Sequence, residues 1–434
     1  MKVFKFGGAS VKDAAGVRNL EHIVRLALND KCQISTGKCQ MSNVKSPIPS
    51  AGLMVVVSAM GKTTNALERV VEFLAAGKEE QALAQWVDII DFHVAIMKEL
   101  GLQPGVDIRL QGEIPYDPSL PFDENYDQVV SMGEILSTQI IAVYLLKQGL
   151  SVEWWNMPKL LRTDATWREA VVDDAASCAV IRAGWERAGR PAVVVAQGFI
   201  GGTADGKRTT LGREGSDYTA ALLGNYLDAE SVTIWKDVPG ILNADPRIEP
   251  DTVLIPSLRY QDAVELSYSG AQIIHPKTIR PLENKHIPLL VKPFGDPAAD
   301  GSRIADDGIG PIDIPVYIWR KNQILITMRA KDFAFALEES LSEIFDIIRS
   351  HRLKVSLIQS SAVTISVCVD NTRFVPDALR ALQAHFNVSY NDHLSLLTIR
   401  GTTPQILEQA KQGRTIMLSQ TTRRTARLVV KENE

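Results

Sequence analysis

The sequence predicts an α/β protein: a mostly parallel open sheet sandwiched by helices, followed by smaller ferredoxin-like α+β modules. Two observations predict it. From Met1 to about Phe294, short apolar runs rich in β-branched residues alternate with helical patterns, the order that builds a parallel sheet covered on both faces. Beyond a stretch rich in proline and glycine the units shorten and follow a β-α-β-β-α-β order.

The buried strands of the first region are expected at residues 3–6, 53–58, 192–197, 232–235 and 289–292, where continuous apolar runs are too short for helices. Helical spacing of apolar residues predicts helices over 14–28, 64–76, 81–100 and 133–148. Residues 1–294 are therefore read as one domain. Residues 295–315, with Pro297, Gly301, Gly308, Gly310, Pro311 and Pro315, read as a linker. A first module is expected over 316–390, with strands at 323–329, 354–359, 363–369 and 387–390 and helices at 334–350 and 375–385. A second, abbreviated module is expected over 391–434, with strands at 394–400, 415–419 and 426–430 and a helix near 404–412. Residues 30–50 are polar, carry Pro47 and Pro49, and show neither period; they read as an excursion between the first helix and the second strand.

Composition excludes several classes. With 434 residues and 45% hydrophobic residues the chain has material for two or three cores. Lys and Arg total 47 against 51 Asp and Glu, a net charge of -4, so no electrostatic footprint for nucleic acid is present. No apolar run is read as approaching the roughly 20 residues of a membrane span. The N-terminus reaches Gly7 and Gly8 before a signal-peptide core forms, and the four cysteines are dispersed with no Cys-x-x-Cys pair. A cytoplasmic protein is expected.

Four segments carry the chemistry: Lys5-Phe6-Gly7-Gly8-Ala9-Ser10, Ser131-Met132-Gly133-Glu134, Gly212-Arg213-Glu214-Gly215-Ser216-Asp217 and Trp235-Lys236-Asp237-Val238-Pro239-Gly240. A strand running into paired glycines exposes backbone N–H groups that can cradle phosphate oxygens, and Lys5 adds a point charge. A glycine-rich loop leading into a helix at Tyr218, with Ser216 or Asp217 as N-cap, attracts anions, and Arg213 offers a planar fork for a carboxylate. Each segment taken alone also fits an ordinary turn or capped helix. Two familiar nucleotide motifs fail: Ser58-Ala59-Met60-Gly61-Lys62-Thr63 has Val56 where a P-loop needs its first glycine, and no Gly-x-Gly-x-x-Gly occurs.

Taken together and in order, the segments resemble the amino acid kinase family and, within it, the aspartokinases, over essentially the whole chain. Residues 3–11 are similar to the family's opening Lys-Phe-Gly-Gly-Thr-Ser-Val, with Ala9 in place of threonine. Val56-Val57-Ser58-Ala59-Met60-Gly61 with Thr63-Thr64-Asn65, Gln197-Gly198-Phe199-Ile200-Gly201, the Arg213 segment, Asp237-Val238-Pro239-Gly240-Ile241 and Asp245-Pro246-Arg247 follow in family order. The resemblance implies an amino acid kinase fold with C-terminal ACT modules. It implies transfer of the γ-phosphoryl group of ATP to the β-carboxylate of L-aspartate, at the head of lysine, threonine and methionine biosynthesis.

By the same resemblance, Lys5, Gly7, Gly8, Ser216, Lys236, Asp237 and Arg247 contact ATP; Thr64, Glu134, Arg213 and Asp217 contact aspartate; and Lys5 and Asp217 are the catalytic pair. Mg²⁺ is expected to ride on the nucleotide phosphates, with no protein side chain as metal ligand. His275 is given a structural role. A substrate carboxylate is already ionised near neutral pH, so no general base is required. The chain departs from the family at Glu214 (usually glycine), Lys236 (threonine), Leu242 (tyrosine) and Gln272 (lysine). Around the first ACT loop, Ser356, Ser360 and Ser361 are the candidate contacts for a lysine or threonine effector, and pairing of ACT modules into a homodimer or larger homo-oligomer is expected. Two other readings stand beside this one: another member of the amino acid kinase family, and a non-catalytic or weakly active amino-acid sensor.

Overall fold

The computed structural model describes residues 1–34, 52–108, 113–189, 191–271, 274–310, 312–331 and 337–431. They form two compact units, the first of Met1–Ile241, Leu254–Val264 and Ile274–Gly310, the second of Leu242–Val253, Glu265–Ile273 and Pro311–Glu434.

In the first unit the strands are β1 (Lys2–Phe6), β2 (Leu53–Val57), β3 (Val152–Trp155), β4 (Val193–Gln197), β5 (Ile200–Gly202), β6 (Arg208–Thr210), β7 (Ser231–Lys236), β8 (Ser257–Leu258), β9 (Leu289–Pro293) and β10 (Ser302–Ile304). Its helices are α1 (Ala14–Ile34), α2 (Thr63–Ala75), α3 (Glu79–Glu99), α4 (Phe122–Val130), α5 (Met132–Lys147), α6 (Met157–Leu160), α7 (Asp174–Arg187), α8 (Gly215–Tyr226) and α10 (Pro276–Glu283), while α9 (Tyr260–Ser269) runs into the second unit. Eight strands make one sheet in the order β3-β4-β2-β1-β7-β9-β10-β8. Pairing is parallel from β3 through β9; β10 runs antiparallel to β9 and parallel to β8, so these two strands at one edge run against the rest. Every residue of β2 and β4 is buried, as a sheet covered on both faces requires. Beside them Phe6 stacks on Trp235 with ring centroids 6.2 Å apart.

Three expectations change here. The stretch 295–315 is more than a linker, because Ser302–Ile304 joins the sheet as β10. Gly301, at φ +69° and with no room for a Cβ beside the Val291 carbonyl, makes the turn that two-residue proline and glycine spacing had disguised. The region Phe122–Lys147 is long and apolar enough for a membrane span, with mean hydropathy 1.7, contrary to the expectation that no such run exists. It is 78% buried inside the protein and breaks at Ser131 into α4 and α5, so it is core. The excursion expected over residues 30–50 overlaps a helix at its start, since α1 continues through Ile34; residues 35–51 lie outside the described part.

The second unit holds β11 (Val316–Ala330), α11 (Leu337–Ser350), β12 (Val355–Ser360), β13 (Ile365–Asp370), α12 (Val375–His385), β14 (Phe386–Arg400), α13 (Pro404–Lys411), β15 (Ile416–Thr421) and β16 (Thr425–Lys431). They form an antiparallel sheet in the order β12-β13-β11-β14-β16-β15. The strands expected separately at 387–390 and 394–400 are one long strand, β14, paired along β11. Polar Asn391, Asp392 and His393 interrupt the hydrophobic alternation and mimic a turn, but the ladder absorbs them as a bulge, with Asn322 at φ +54° and His393 at φ +52°. Val316–Arg320 pairs with the distal half of β14, and Gln323–Met328 pairs with both β13 and the proximal half of β14. β11 and β14 thus run through two adjacent cores, one with Ile326, Ile344 and Leu382, the other with Ile399, Ala410 and Leu428.

Candidate active site at the strand ends

β4, β2, β1 and β7 are parallel neighbours, so the loops after Gln197, Val57, Phe6 and Lys236 leave the same edge of the sheet. This is the edge where open α/β sheets take their ligands. The loops are stitched together: Ser58 N–H donates to the Phe6 carbonyl at 3.1 Å, Gly61 N–H to the Gly8 carbonyl at 3.0 Å, and Gly198 N–H to the Val57 carbonyl at 3.0 Å. A Cβ at Gly8 would sit 2.6 Å from the Ala59 carbonyl oxygen, so glycine is what lets the first loop dock on the second.

The Arg213 segment enters α8 through two left-handed residues, Gly212 at φ +73° and Glu214 at φ +53°, ψ +29°. Glu214 is the N-cap residue, with no side-chain cap bond, rather than Ser216 or Asp217. The left-handed turn starts the helix earlier than residue preference suggested, and Ser216 and Asp217 fall in its first turn. A non-glycine residue in this conformation costs about 1 kcal/mol. The Glu214 carboxylate does not face the helix amides: its Oε2 accepts from the backbone N–H of His275 at 2.7 Å. His275 in turn caps α10, its Nδ1 accepting from Lys277 N–H at 3.2 Å, which fits the structural role expected of it.

Asp217 is 3% exposed, and Lys5 Nζ lies 2.6 Å from its Oδ1. The lysine thus reaches from the end of strand β1 to the first turn of α8, beside Gly7. Glu134 is 2% exposed in the first turn of α5. Its Oε1 accepts from Ala59 N–H at 3.1 Å, while its buried Oε2 has no hydrogen-bond partner among the described residues. Burial pushes its carboxyl up to about 8, against the opposing pull of the Ala59 N–H and the Lys5 charge. A buried acid with one unsatisfied oxygen is poised for a cationic donor. Ser137, one turn on, donates to the Ser58 carbonyl at 2.9 Å and fixes α5 against the β2 loop.

The remaining expected residues fall in different settings. Thr64 is half-buried in the first turn of α2, and Arg213 is exposed and makes no ion pair among the described residues. Lys236 ends β7, its carbonyl accepting from Phe294 N–H at 2.6 Å, and Asp237 is exposed just beyond. Arg247 belongs to the second unit, 79% exposed and gripping Asp245 with two bonds of 3.0 and 2.6 Å. Gln272 lies outside the described residues. In the second unit the Ser356 hydroxyl accepts from Arg320 at 2.5 Å, Ser361 is bonded to Thr364 at 2.7 Å, and Ser360 is exposed.

Sequence reasoning missed Asp127. It is fully buried in α4 and accepts from Thr210 N–H and Oγ1 and from Arg168 N–H, tying the strand before Arg213 to the helix before Glu134. Burial pushes its carboxyl up to about 6, although those three donors oppose the rise. Nothing in the sequence set it apart from Asp123 and Glu124, the two other acids of the same helix.

Residues 1–293 match the amino acid kinase family model. The lysine-sensitive aspartokinase 3 of Escherichia coli is 30% identical over 420 residues, spanning 92% of this chain and 86% of its own. The chain belongs to the aspartokinases, within the amino acid kinase family. The aspartokinase of Chlamydia trachomatis is 29% identical over 92% of this chain and 86% of its own. In three dimensions, aspartokinase III of E. coli in complex with aspartate and ADP superposes with a TM-score of 0.77 at 26% identity, covering 99% of this chain and 96% of that one. The same enzyme in complex with lysine and aspartate gives a TM-score of 0.73. The parallel sheet is thus the amino acid kinase fold, and the antiparallel sheet of the second unit fits ACT modules. As an aspartokinase the chain is an enzyme, a phosphotransferase.

Proposed function

We propose that this site transfers the γ-phosphoryl group of ATP to the β-carboxylate of L-aspartate, releasing ADP and 4-phospho-L-aspartate, the first step toward lysine, threonine and methionine. The observation that carries the reading is the pair of Lys5 with the buried Asp217, beside an under-satisfied Glu134, at the edge where four parallel strands end. The E. coli relative's complex with aspartate and ADP supports the same pair of substrates.

The N–H groups of Gly7 and Gly8 and the first turn of α8, with Ser216, hold the phosphates. Lys5 leaves Asp217 for the phosphoryl oxygens as negative charge moves from nucleotide to acceptor. The freed Asp217 and the unpaired oxygen of Glu134 receive the substrate's ammonium, while the uncommitted guanidinium of Arg213 takes the α-carboxylate and Thr64 donates a hydroxyl. Lys236, Asp237 and Arg247 bind the rest of the nucleotide. The β-carboxylate attacks already ionised, so catalysis is positioning and charge neutralisation. Mg²⁺ is carried by the nucleotide phosphates. When bound, that ion neutralises charge shared between nucleotide and acceptor.

The enzyme is cytoplasmic, and pairing of its ACT modules makes it a homodimer or larger homo-oligomer open to lysine or threonine, for which Ser356, Ser360 and Ser361 offer neutral contacts and a backbone carbonyl or an acid of a partner subunit meets the ammonium. ADP release from ATP and Mg²⁺ tests the reading: it should depend on L-aspartate and trap as the hydroxamate. Aspartate-independent turnover would point to a different acceptor.

A further inference from the structure

The second unit contains a cavity of about 320 Å³ on the α13 side of its sheet. Its lining includes Ile248, Trp319, Lys321, Ser395, Arg414 and Lys431. It forms where β11 and β14 shift register between Arg320 and Gln323, and such a bulge re-aims the side chains around it. Lys321 comes from β11, Ser395 from the neighbouring β14, and Lys431 from β16 beyond, where it pairs with Leu394. Three cations therefore surround one small space. Arg414 is held in place, donating to the Ala410 carbonyl at 2.6 Å with its guanidinium carbon 5.2 Å from the centroid of Trp319. Neither Lys321 nor Lys431 makes an ion pair among the described residues. The nearest acid to the indole is Glu249, which accepts from Trp319 Nε1 at 3.4 Å. The three cations repel one another, and a bound oxyanion would relieve that repulsion.

We propose that this cavity binds a small multivalent oxyanion, carboxylate or phosphate, and that its occupancy regulates the nucleotide step. The regulatory half rests on the role given above to Arg247. Ile248 lines the cavity and is the residue next to Arg247. The same segment is bonded to β11 and the residue before it through the Asn243 carbonyl, which accepts from Tyr317 N–H at 2.7 Å, and Asn243 Nδ2, which donates to the Pro315 carbonyl at 3.1 Å. Lys321 also reaches this segment electrostatically: the carboxyl of Asp245 is held below the usual range first by its bond to Arg247 and in smaller part by the Lys321 charge. An anion that engages Lys321 changes the field on the Asp245–Arg247 pair.

Isothermal titration of the full chain with citrate and, separately, with inorganic phosphate tests the site. Wild type and Lys5→Met should bind at least one of the two equally well, and Lys321→Gln/Lys431→Gln should bind it at least about tenfold more weakly, the loss expected when charge-assisted contacts go. Added NaCl should weaken binding in wild type. Binding of citrate alone identifies a carboxylate ligand, and of phosphate alone a phosphate-bearing one. No heat with either anion, or the same affinity in the double variant, would overturn the site. With free Mg²⁺ held constant, the bound anion should shift the KM for ATP severalfold in wild type and not in the double variant. Intact binding with an unmoved KM would overturn the regulatory half, whereas intact binding in a chain with no kinase activity would count against the proposed function and leave the anion site standing.

Discussion

Lys5, partly buried, and Asp217, fully buried, form an ion pair of 2.6 Å between the end of β1 and the first turn of α8, so one salt link joins the two elements on which the reading of phosphate and amino acid binding depends. Breaking a buried pair from one side leaves an uncompensated charge and costs about 3–5 kcal/mol. Lys5→Met should lower kcat by about a thousandfold or more, because the lysine acts mainly as charge builds in transfer. Aspartate binding, read calorimetrically, should fall far less than kcat; equal losses in both would assign Lys5 to ground-state binding.

Glu134 gives a signed pH dependence. Its carboxyl is raised to about 8 from 4.5, so the folded protein keeps a proton that the unfolded chain gives up. The stability this contributes is complete below about pH 4.5 and is lost as pH rises through about 8. The Tm should therefore decline across that window from this group, and Glu134→Gln should flatten the decline. Because the ammonium of aspartate needs the carboxylate, the wild-type KM for aspartate should fall as pH rises toward 8, and the glutamine variant should lose that dependence along with about a hundredfold of kcat/KM.

Glu214 should be separable into strain and contact. Glu214→Ala keeps the left-handed turn and loses the bond to His275, whereas Glu214→Gly loses the bond and relieves the turn. The glycine variant should be more stable than the alanine variant by about 1 kcal/mol in denaturant melts. An alanine variant as stable as the glycine one would mean that the turn carries no strain.

Gly8→Ala would place a methyl 2.6 Å from the Ala59 carbonyl oxygen and push the β1 loop off the β2 loop. A displacement on the order of 1 Å at reacting groups costs about a hundredfold in rate. We expect that loss in kcat/KM for ATP with far-ultraviolet circular dichroism unchanged; full activity would show that the loops need not touch.

Much of the architecture was legible because buried parallel strands are short, continuous and apolar. The runs containing Val3, Val55, Val195, Ile234 and Val291 each became a strand within a residue or so of expectation. β10 was not legible, since Ser302–Ile304 hides among prolines and glycines, nor was the continuity of β14 through Asn391–His393. At the site, glycines beside charges, at one strand end and two helix starts, marked Lys5, Glu134 and Asp217. Asp127 and Ser137 were invisible because their work is tertiary: they accept from or donate to backbone groups brought near only by folding. Glu214 stood out by chemistry, but only the fold revealed that its carboxylate turns to His275 and away from the helix amides.

The central claim is that the Lys5–Asp217 site phosphorylates aspartate. The most direct measurement is ADP formation from ATP and Mg²⁺ with and without L-aspartate, in wild type and Lys5→Met at equal folded concentration. The account predicts aspartate-dependent ADP release and hydroxamate-trappable product in wild type, both reduced about a thousandfold in the variant. Wild-type protein that binds ATP and aspartate yet forms no product, or a variant that turns over at the wild-type rate, would contradict it.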